Sequence, residues 1–188
     1  GKLLSDTKEK ELKNINAVIG QSGTGKSTLA DAFGFLADCL ENGVEVACDL
    51  NGRGGYGKLI SQGADGPIEF EIYYRETSNE PPITYELAIG VDKYGRPIIE
   101  KERLRQRRAK EKYGRPMSFL YLEYGKGYAF KGINSGFSEE KNQEIGDKVD
   151  VELADPRQLG IVTLGELREH PRIVKFKKFL KNWYLCYF

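Results

Sequence analysis

The residues best suited to chemistry in this chain lie between Gly20 and Ser27 and read G-Q-S-G-T-G-K-S. They match the pattern G-x-x-x-x-G-K-[ST], known as Walker A, in which small residues let backbone N–H groups curl around phosphates. The lysine of this pattern contacts the β- and γ-phosphate oxygens, and the hydroxyl that follows it ligates Mg²⁺. The spacing therefore predicts a site for a nucleoside triphosphate, with ATP and Mg²⁺ as the expected cofactors.

Each position of this loop has a predicted role. Lys26 is the expected phosphate-binding and catalytic cation, and Ser27 is the expected Mg²⁺ ligand. Thr28 is expected to contact the α-phosphate, and residues 23–25 are expected to offer backbone N–H groups. The predicted cofactor-binding residues are Gly20, Gln21, Ser22, Gly23, Thr24, Gly25, Lys26, Ser27 and Thr28.

The sequence on both sides of the loop predicts the elements that would position it. Four apolar residues precede the loop as a buried strand would, namely Ile15, Ala17, Val18 and Ile19. After the loop, apolar residues recur at helical spacing from Leu29 to Leu40, and Asn42-Gly43 supplies a helix stop. A strand, a glycine-rich loop and a helix in this order place a helix N-terminus at bound phosphate. The alternative, a glycine-rich turn that arises by chance, does not account for both flanks.

Length and composition set the outer limits. With 188 residues and 39% hydrophobic content, the chain is long enough for one domain with a sizeable core. Its formal net charge of +1 gives no global sign of a polyanion partner. Cys39, Cys48 and Cys186 are odd in number and form no C-x-x-C pair, so a disulfide framework or zinc site is not expected and a cytoplasmic location fits. No apolar run approaches the length of a membrane span, so no membrane partner is expected.

The middle of the chain alternates apolar and polar residues in short runs. This alternation predicts strands at 68–75 and 83–91 and a third strand near 96–102. Further strands are predicted at 118–124, 128–130 and 149–153, and a helix is predicted from Leu164 onwards, with a start or kink at Pro171. Strands joined by short turns form an antiparallel meander, whereas a small-molecule kinase alternates strands and helices in a parallel sheet.

The order of these pieces resembles the N-terminal lobe of predicted AAA-family ATPases of the ABC type, which are relatives of RecF and of the structural-maintenance-of-chromosomes (SMC) heads. The pieces that carry the resemblance are Asn16 and the Walker A residues, the helix, Arg53-Gly54-Gly55, the meander, Glu102-Arg103-Leu104 and Asp155-Pro156-Arg157-Gln158-Leu159. The likeness runs from about Asn14 to the chain end, with Gln21-Ser22 standing where that group usually has Pro-Asn. It implies an α/β P-loop NTPase lobe with a mixed sheet over residues 1–188, and an antiparallel β subdomain at 67–131.

The resemblance also assigns a role to Gln158. In that family a glutamine after the meander, the Q-loop glutamine, contacts Mg²⁺ and the attacking water, so Gln158 is a candidate catalytic residue and metal ligand. The alternative is a surface glutamine in a turn after Pro156.

Several motifs of a complete ABC-type ATPase are not found in the sequence. There is no Walker B strand ending in Asp-Glu and no L-S-G-G-x signature, and the only histidine is His170, beside Pro171. The chain is therefore expected to be the N-terminal half of a longer ATPase, or a defective copy, that needs a C-terminal lobe and a homodimer partner for hydrolysis. If a catalytic carboxylate is nevertheless present, Glu123 is the first candidate.

One segment, 101–115, is rich in basic residues. They include Arg103, Arg105, Arg107, Arg108 and Lys110, against only Glu102 and Glu111. Such a cluster is typical of nucleic-acid phosphate contacts. The alternative is a solvated hairpin or helix whose charges maintain solubility.

The sequence thus leaves three functions open. The first is an ATP-binding lobe of an ABC-type ATPase. The second is a small-molecule P-loop kinase, which would need a parallel strand bearing an acidic residue soon after the helix. The third is a non-catalytic module in which nucleotide binding orders an interaction surface.

Overall fold

The structure is a computed structural model, and it describes residue 21 and residues 26–60, 66–75, 82–106, 116–132 and 146–182. The predicted strand before the loop, Gly20 and residues 22–25 lie outside the described residues. So do the basic residues 107–115 and the last six residues of the chain.

Three helices and a 3₁₀ turn form the first part. Helix α1 spans Lys26–Asn42, α2 spans Val44–Asp49, a 3₁₀ turn covers Leu50–Gly52, and α3 spans Tyr56–Leu59. The predicted helix stop is confirmed, because α1 ends at Asn42 and Gly43 has a φ of 80°. The sequence pattern does not predict helix α2, which packs through Val44, Ala47 and Cys48, all buried.

The six strands of the described sheet follow one another in chain order. They are β1 (Ile68–Tyr74), β2 (Ile83–Val91), β3 (Pro97–Gln106), β4 (Met117–Glu123), β5 (Lys126–Phe130) and β6 (Lys148–Glu152). Every neighbouring pair is antiparallel, which confirms the predicted meander. The sheet continues past residue 131 into β6, which adds a strand beyond the predicted limit of the subdomain.

The core lies between one face of this sheet and the helices. Strand side chains such as Tyr85 and Leu120 are buried with Leu36 of α1, as a two-layer arrangement requires. Aromatic contacts join the layers, because Phe35 stacks on Phe70 with ring centroids 6.1 Å apart. The fold is therefore α/β, with helices on the inner face of the sheet.

Two helices follow the sheet. Helix α4 spans Gly160–Leu164 and α5 spans Pro171–Lys181, so the predicted start at Pro171 is confirmed. The ring of Phe176 on α5 lies 5.1 Å from that of Tyr85, which fixes α5 against β2. None of the helices in the described part of the chain combines the length and apolar character that crossing a membrane requires.

Candidate nucleotide-binding site

The first turn of α1 coincides with the end of the Walker A residues. The described part of α1 begins at Lys26, and Ser27 and Thr28 are exposed in its first turn. This turn carries no acidic residue, so its backbone N–H groups and the positive end of the helix dipole are not neutralised locally. Gln21 is exposed as well. The residues present therefore fit an anionic ligand such as a triphosphate with its Mg²⁺.

The N-terminal half of α1 is not part of the core. Between Ser27 and Gly34 every residue is exposed or half-buried, whereas four residues of the C-terminal half are buried. These four are Phe35, Leu36, Cys39 and Leu40. The half of the helix that carries Ser27 therefore depends on polar contacts more than on apolar packing for its position.

Arg53, from the glycine-rich loop before α3, supplies such contacts. Its Nε and Nη2 both lie 3.0 Å from Asp31 Oδ1, and its Nη1 lies 2.5 Å from Asp38 Oδ2. Nη1 also donates to the Ala47 carbonyl oxygen at 3.0 Å. We call these residues, Arg53 with Asp31, Asp38 and Ala47, the Arg53 clamp.

The helix surface leaves room for the guanidinium between the two carboxylates. Asp31, Gly34 and Asp38 lie on one face of α1, since they are spaced three and four residues apart. A Cβ on Gly34 would lie 3.4 Å from Arg53 Nη2, so a larger side chain would meet the guanidinium. The Phe35 ring centroid lies 5.4 Å from the guanidinium carbon and adds a cation–π contact.

Burial and pairing have opposite effects on this arginine. Burial lowers the pKa of Arg53, but the hydrogen bonds to Asp38 and Asp31 and the charges of these carboxylates raise it by a larger amount. The net shift of the pKa is therefore upward. The side chain is only 4% exposed. Arg53 is therefore a buried, fully charged group whose two carboxylate partners both lie on α1.

Gln158 lies at the other end of α1. A Cβ on Gly43 would be 2.6 Å from Gln158 Nε2, so the side chain of Gln158 rests over the residue that follows the helix. The helix has 17 residues, and at a rise of about 1.5 Å per residue its ends are about 24 Å apart. The structure therefore does not bring Gln158 together with Ser27, and in this arrangement the two predicted Mg²⁺ ligands cannot share one ion.

Arg157 holds the segment around Gln158 in place. Its Nη1 donates to Glu45 Oε2 at 2.7 Å, and its Nε donates to Asp155 Oδ1 at 2.8 Å. The hydrogen bond from Arg157, outweighing burial, lowers the pKa of Asp155 below its usual value. These contacts join the Asp155-Pro156-Arg157 segment to α2, on the side away from the first turn of α1.

Arg103 and Arg105 of the basic segment lie on β3 and face carboxylates. Arg105 Nε is 2.5 Å from Glu86 Oε1 and its Nη2 is 3.1 Å from Glu71 Oε1, while Lys101 Nζ donates to Glu86 Oε2 at 2.9 Å. Burial raises the pKa of Glu86, but Lys101, Arg105 and Arg103 together lower it by a larger amount. The net shift of the pKa is therefore downward. Arg107, Arg108 and Lys110 lie outside the described residues.

Two further sequence candidates also have defined positions. His170 is buried at the start of α5, with Nδ1 3.1 Å from the Phe130 carbonyl oxygen. Glu123 is exposed at the end of β4 and accepts a hydrogen bond from Tyr121.

A family model described as "AAA domain, putative AbiEii toxin, Type IV TA system" matches residues 15–158. The match covers more than half of the chain. It includes the Walker A residues, α1, the Arg53 clamp and all six strands of the described sheet. The chain belongs to this family of AAA domains, which makes it a nucleotide-binding, ATPase-like domain. No curated protein and no solved structure gives a significant match.

Proposed function

We propose that this chain is the ATP-binding N-terminal lobe of an ABC-type ATPase related to RecF and the SMC heads, and that it binds Mg·ATP through Lys26 and Ser27. The observation that carries the proposal is that Lys26 and Ser27, the end of the Walker A residues, lie in the first described turn of α1, a turn free of acidic residues in which Ser27 and Thr28 are exposed. The Walker A spacing and the antiparallel meander after the helix support it. A cytoplasmic location, expected from the cysteine usage, is part of the proposal.

Each residue has a defined task in this proposal. The backbone N–H groups of residues 23–25 and of the first turn of α1 bind phosphate oxygens, and Lys26 compensates the charge of the β- and γ-phosphates. The Ser27 hydroxyl is the protein ligand for Mg²⁺, and Thr28 contacts the α-phosphate. When bound, Mg²⁺ neutralises negative charge on the phosphates.

Hydrolysis is proposed to need parts that this sequence does not contain. No Walker B or signature motif is found in the sequence, and Gln158 lies at the far end of α1. We therefore propose that a C-terminal ATPase lobe and a second copy of the ATPase complete the catalytic site.

The distance of Gln158 from Ser27 also favours a second candidate, a nucleotide-gated interaction module that does not hydrolyse ATP. A kinase is favoured less, because α2 follows α1 directly and the first described strand after the helices is antiparallel to its neighbour. The two ATP-binding candidates differ in turnover and not in affinity.

Isothermal titration calorimetry with Mg·ATP tests the binding proposal. Lys26→Ala removes a charge-assisted contact and should weaken binding about tenfold or more. Lys178→Ala removes an exposed lysine of α5 and serves as the matched control, with no change expected. Equal affinities of the Lys26→Ala variant and the unmodified chain would overturn the assignment.

A phosphate-release assay then separates the two candidates. The chain alone should release phosphate at a negligible rate, because a missing general base by itself costs about 10²–10⁴ in rate. Addition of a C-terminal ATPase lobe should restore turnover if the chain is half of an enzyme, and should not if it is a module. Fast turnover by the chain alone would reveal a catalytic carboxylate, and Glu123 would be the first residue to replace.

A further inference from the structure

The Arg53 clamp joins the two halves of α1 to the loop after α2. Asp31 is its contact in the first half of the helix, and Asp38 is its contact in the second half. We propose that Arg53 is a positioning residue for nucleotide binding, and that it acts through Asp31 to hold the first two turns of α1 in the orientation that phosphate binding requires. This inference rests on the proposed binding of Mg·ATP at Lys26 and Ser27.

The first argument is the distribution of burial along α1. The C-terminal half is held by Phe35, Leu36, Cys39 and Leu40, whereas no residue of 27–34 is buried. Asp31 lies within this weakly packed half, one turn after Ser27, and its carboxylate contacts a guanidinium that is itself buried. This ion pair is a polar contact that ties the first half of the helix to another element.

The second argument is the geometry of the arginine. Asp31 and Asp38 lie two turns apart, about 10 Å along the helix axis. A guanidinium has separate N–H groups that can address both carboxylates at once, and Nε and Nη2 are used for Asp31 while Nη1 is used for Asp38. A lysine ammonium is a single point charge and cannot reproduce this arrangement.

The third argument is electrostatic. Asp31 lies about 6 Å along the axis from Ser27, so an unpaired carboxylate there would repel a bound triphosphate. Pairing with Arg53 offsets that charge. Asp38 lies about 16 Å along the axis from Ser27, where it has little influence on the phosphates.

The two carboxylates therefore provide a matched pair of variants in one helix. Asp31→Ala and Asp38→Ala remove the same chemical group, and both replace it with a good helix former. Loss of a carboxylate near phosphates would by charge alone tighten binding, so weaker binding in Asp31→Ala reports lost positioning. Asp31→Glu keeps the charge and the acceptor and should retain most of the affinity.

The decisive measurement is the affinity of the full 188-residue chain and these variants for Mg·ATP by calorimetry. Asp31→Ala should weaken binding about 3- to 30-fold, the range found when coupled positions are changed, and Asp38→Ala should stay within about twofold. Circular dichroism at the titration temperature checks that both variants are folded. Affinity of Asp31→Ala equal to or above that of the unmodified chain, or equal losses in both variants, would overturn the proposal.

Hydrogen–deuterium exchange separates this result from failure of the proposed function. Without nucleotide, Asp31→Ala should speed amide exchange in residues 27–33 relative to residues 35–42, and Asp38→Ala should not. If the unmodified chain binds no Mg·ATP, the proposed function is wrong, and the exchange pattern alone then decides whether the Arg53 clamp holds the first turns of α1. Unchanged exchange in Asp31→Ala would show that it does not.

Discussion

Glu102 on β3 accepts a hydrogen bond from the backbone N–H of Ile161 on α4 at 3.0 Å. The same carboxylate accepts hydrogen bonds from Gly160 N–H and, at 3.1 Å, from the Tyr85 hydroxyl. It is completely buried, so these three donors replace water. Glu102 therefore joins the centre of the sheet to the chain just beyond Gln158.

Glu102 gives the first prediction, which concerns pH. Burial raises the pKa of Glu102 to about 7, against a usual 4.5, although the hydrogen bonds from Ile161, Gly160 and Tyr85 lower it. The folded protein thus binds this proton more tightly than the unfolded chain. The contribution of the group to the free energy of unfolding is complete below a pH of about 4.5, and about 3 kcal/mol is lost as the pH rises through 7.

Glu102→Gln cannot titrate, so its free energy of unfolding should fall less between about pH 5 and pH 8 than that of the unmodified chain. Urea unfolding at several pH values measures the difference. Glu69→Gln, which changes an exposed carboxylate of β1, is the control and should keep the original slope. Parallel pH profiles for Glu102→Gln and the unmodified chain would contradict the prediction.

The second prediction tests where Gln158 lies. Gly43 has φ 80° and ψ 165°, a region that essentially only glycine adopts, and an added Cβ would meet Gln158 Nε2 at 2.6 Å. Gly43→Ala should therefore lower the free energy of unfolding by about 2 kcal/mol or more. In a Gln158→Ala background the loss should be smaller by about 1 kcal/mol, since the contact with the Gln158 amide is gone, while the backbone strain and the 3.2 Å approach to the Arg157 carbonyl oxygen remain.

Urea unfolding of the four chains gives this coupling energy directly. Gln158→Ala should also leave the affinity for Mg·ATP unchanged, because Gln158 lies about 24 Å from the first turn of α1. Additive effects of the two substitutions, or a large loss of affinity in Gln158→Ala, would place Gln158 elsewhere.

The third prediction concerns the basic segment. Arg103 and Arg105 lie near Glu86, and Arg105 also contacts Glu71, so little of their charge is available to a nucleic acid. If the segment binds nucleic-acid phosphates, Arg107→Ala with Arg108→Ala should weaken binding and reduce the salt slope by about one per lost contact. Arg103→Ala with Arg105→Ala should change both much less.

Fluorescence anisotropy with labelled single- and double-stranded oligonucleotides at low salt measures these effects. A flat titration of the unmodified chain would end the nucleic-acid hypothesis. A larger effect from Arg103 and Arg105 would show that their ion pairs open on binding.

The strands could be predicted because their side chains alternate. In β1, Ile68, Phe70 and Ile72 pack toward the core while Glu69 and Glu71 are exposed, as the period of two requires. The turns between strands and the stop at Gly43 follow from local backbone preferences that residue type reveals. Such features depend on neighbours in sequence, so a sequence contains enough information to predict them.

Helix α2 could not be predicted for a physical reason. Its sequence V-E-V-A-C-D alternates like a strand, and six residues are too few for a helical period to be recognised. Packing of Val44, Ala47 and Cys48 against the core selects the helix. Tertiary contacts therefore override the local pattern there.

The Arg53 clamp and Glu102 also depend on distant contacts. In the sequence only a family resemblance draws attention to Arg53, and its partner Asp31 is 22 residues away. Glu102 looks like one more charged residue of a basic segment, yet it points into the core because the N–H groups at the start of α4 need an acceptor. The one sequence signal for a role of Asp31 is its spacing of four residues from Ser27, which places both on one face of α1. Such a spacing is common in helices.

The arrangement of the described sheet also bears on how two copies of the chain could associate. Within the described residues β1 and β6 each have a single neighbour, so they are the edges of this sheet to which a strand from another molecule could be added. Both carry exposed charges, Glu69 and Glu71 on one side and Lys148, Asp150 and Glu152 on the other. Charged outer strands resist edge-to-edge aggregation. A dimer of this chain is therefore expected to assemble through surfaces other than a continuous intermolecular sheet.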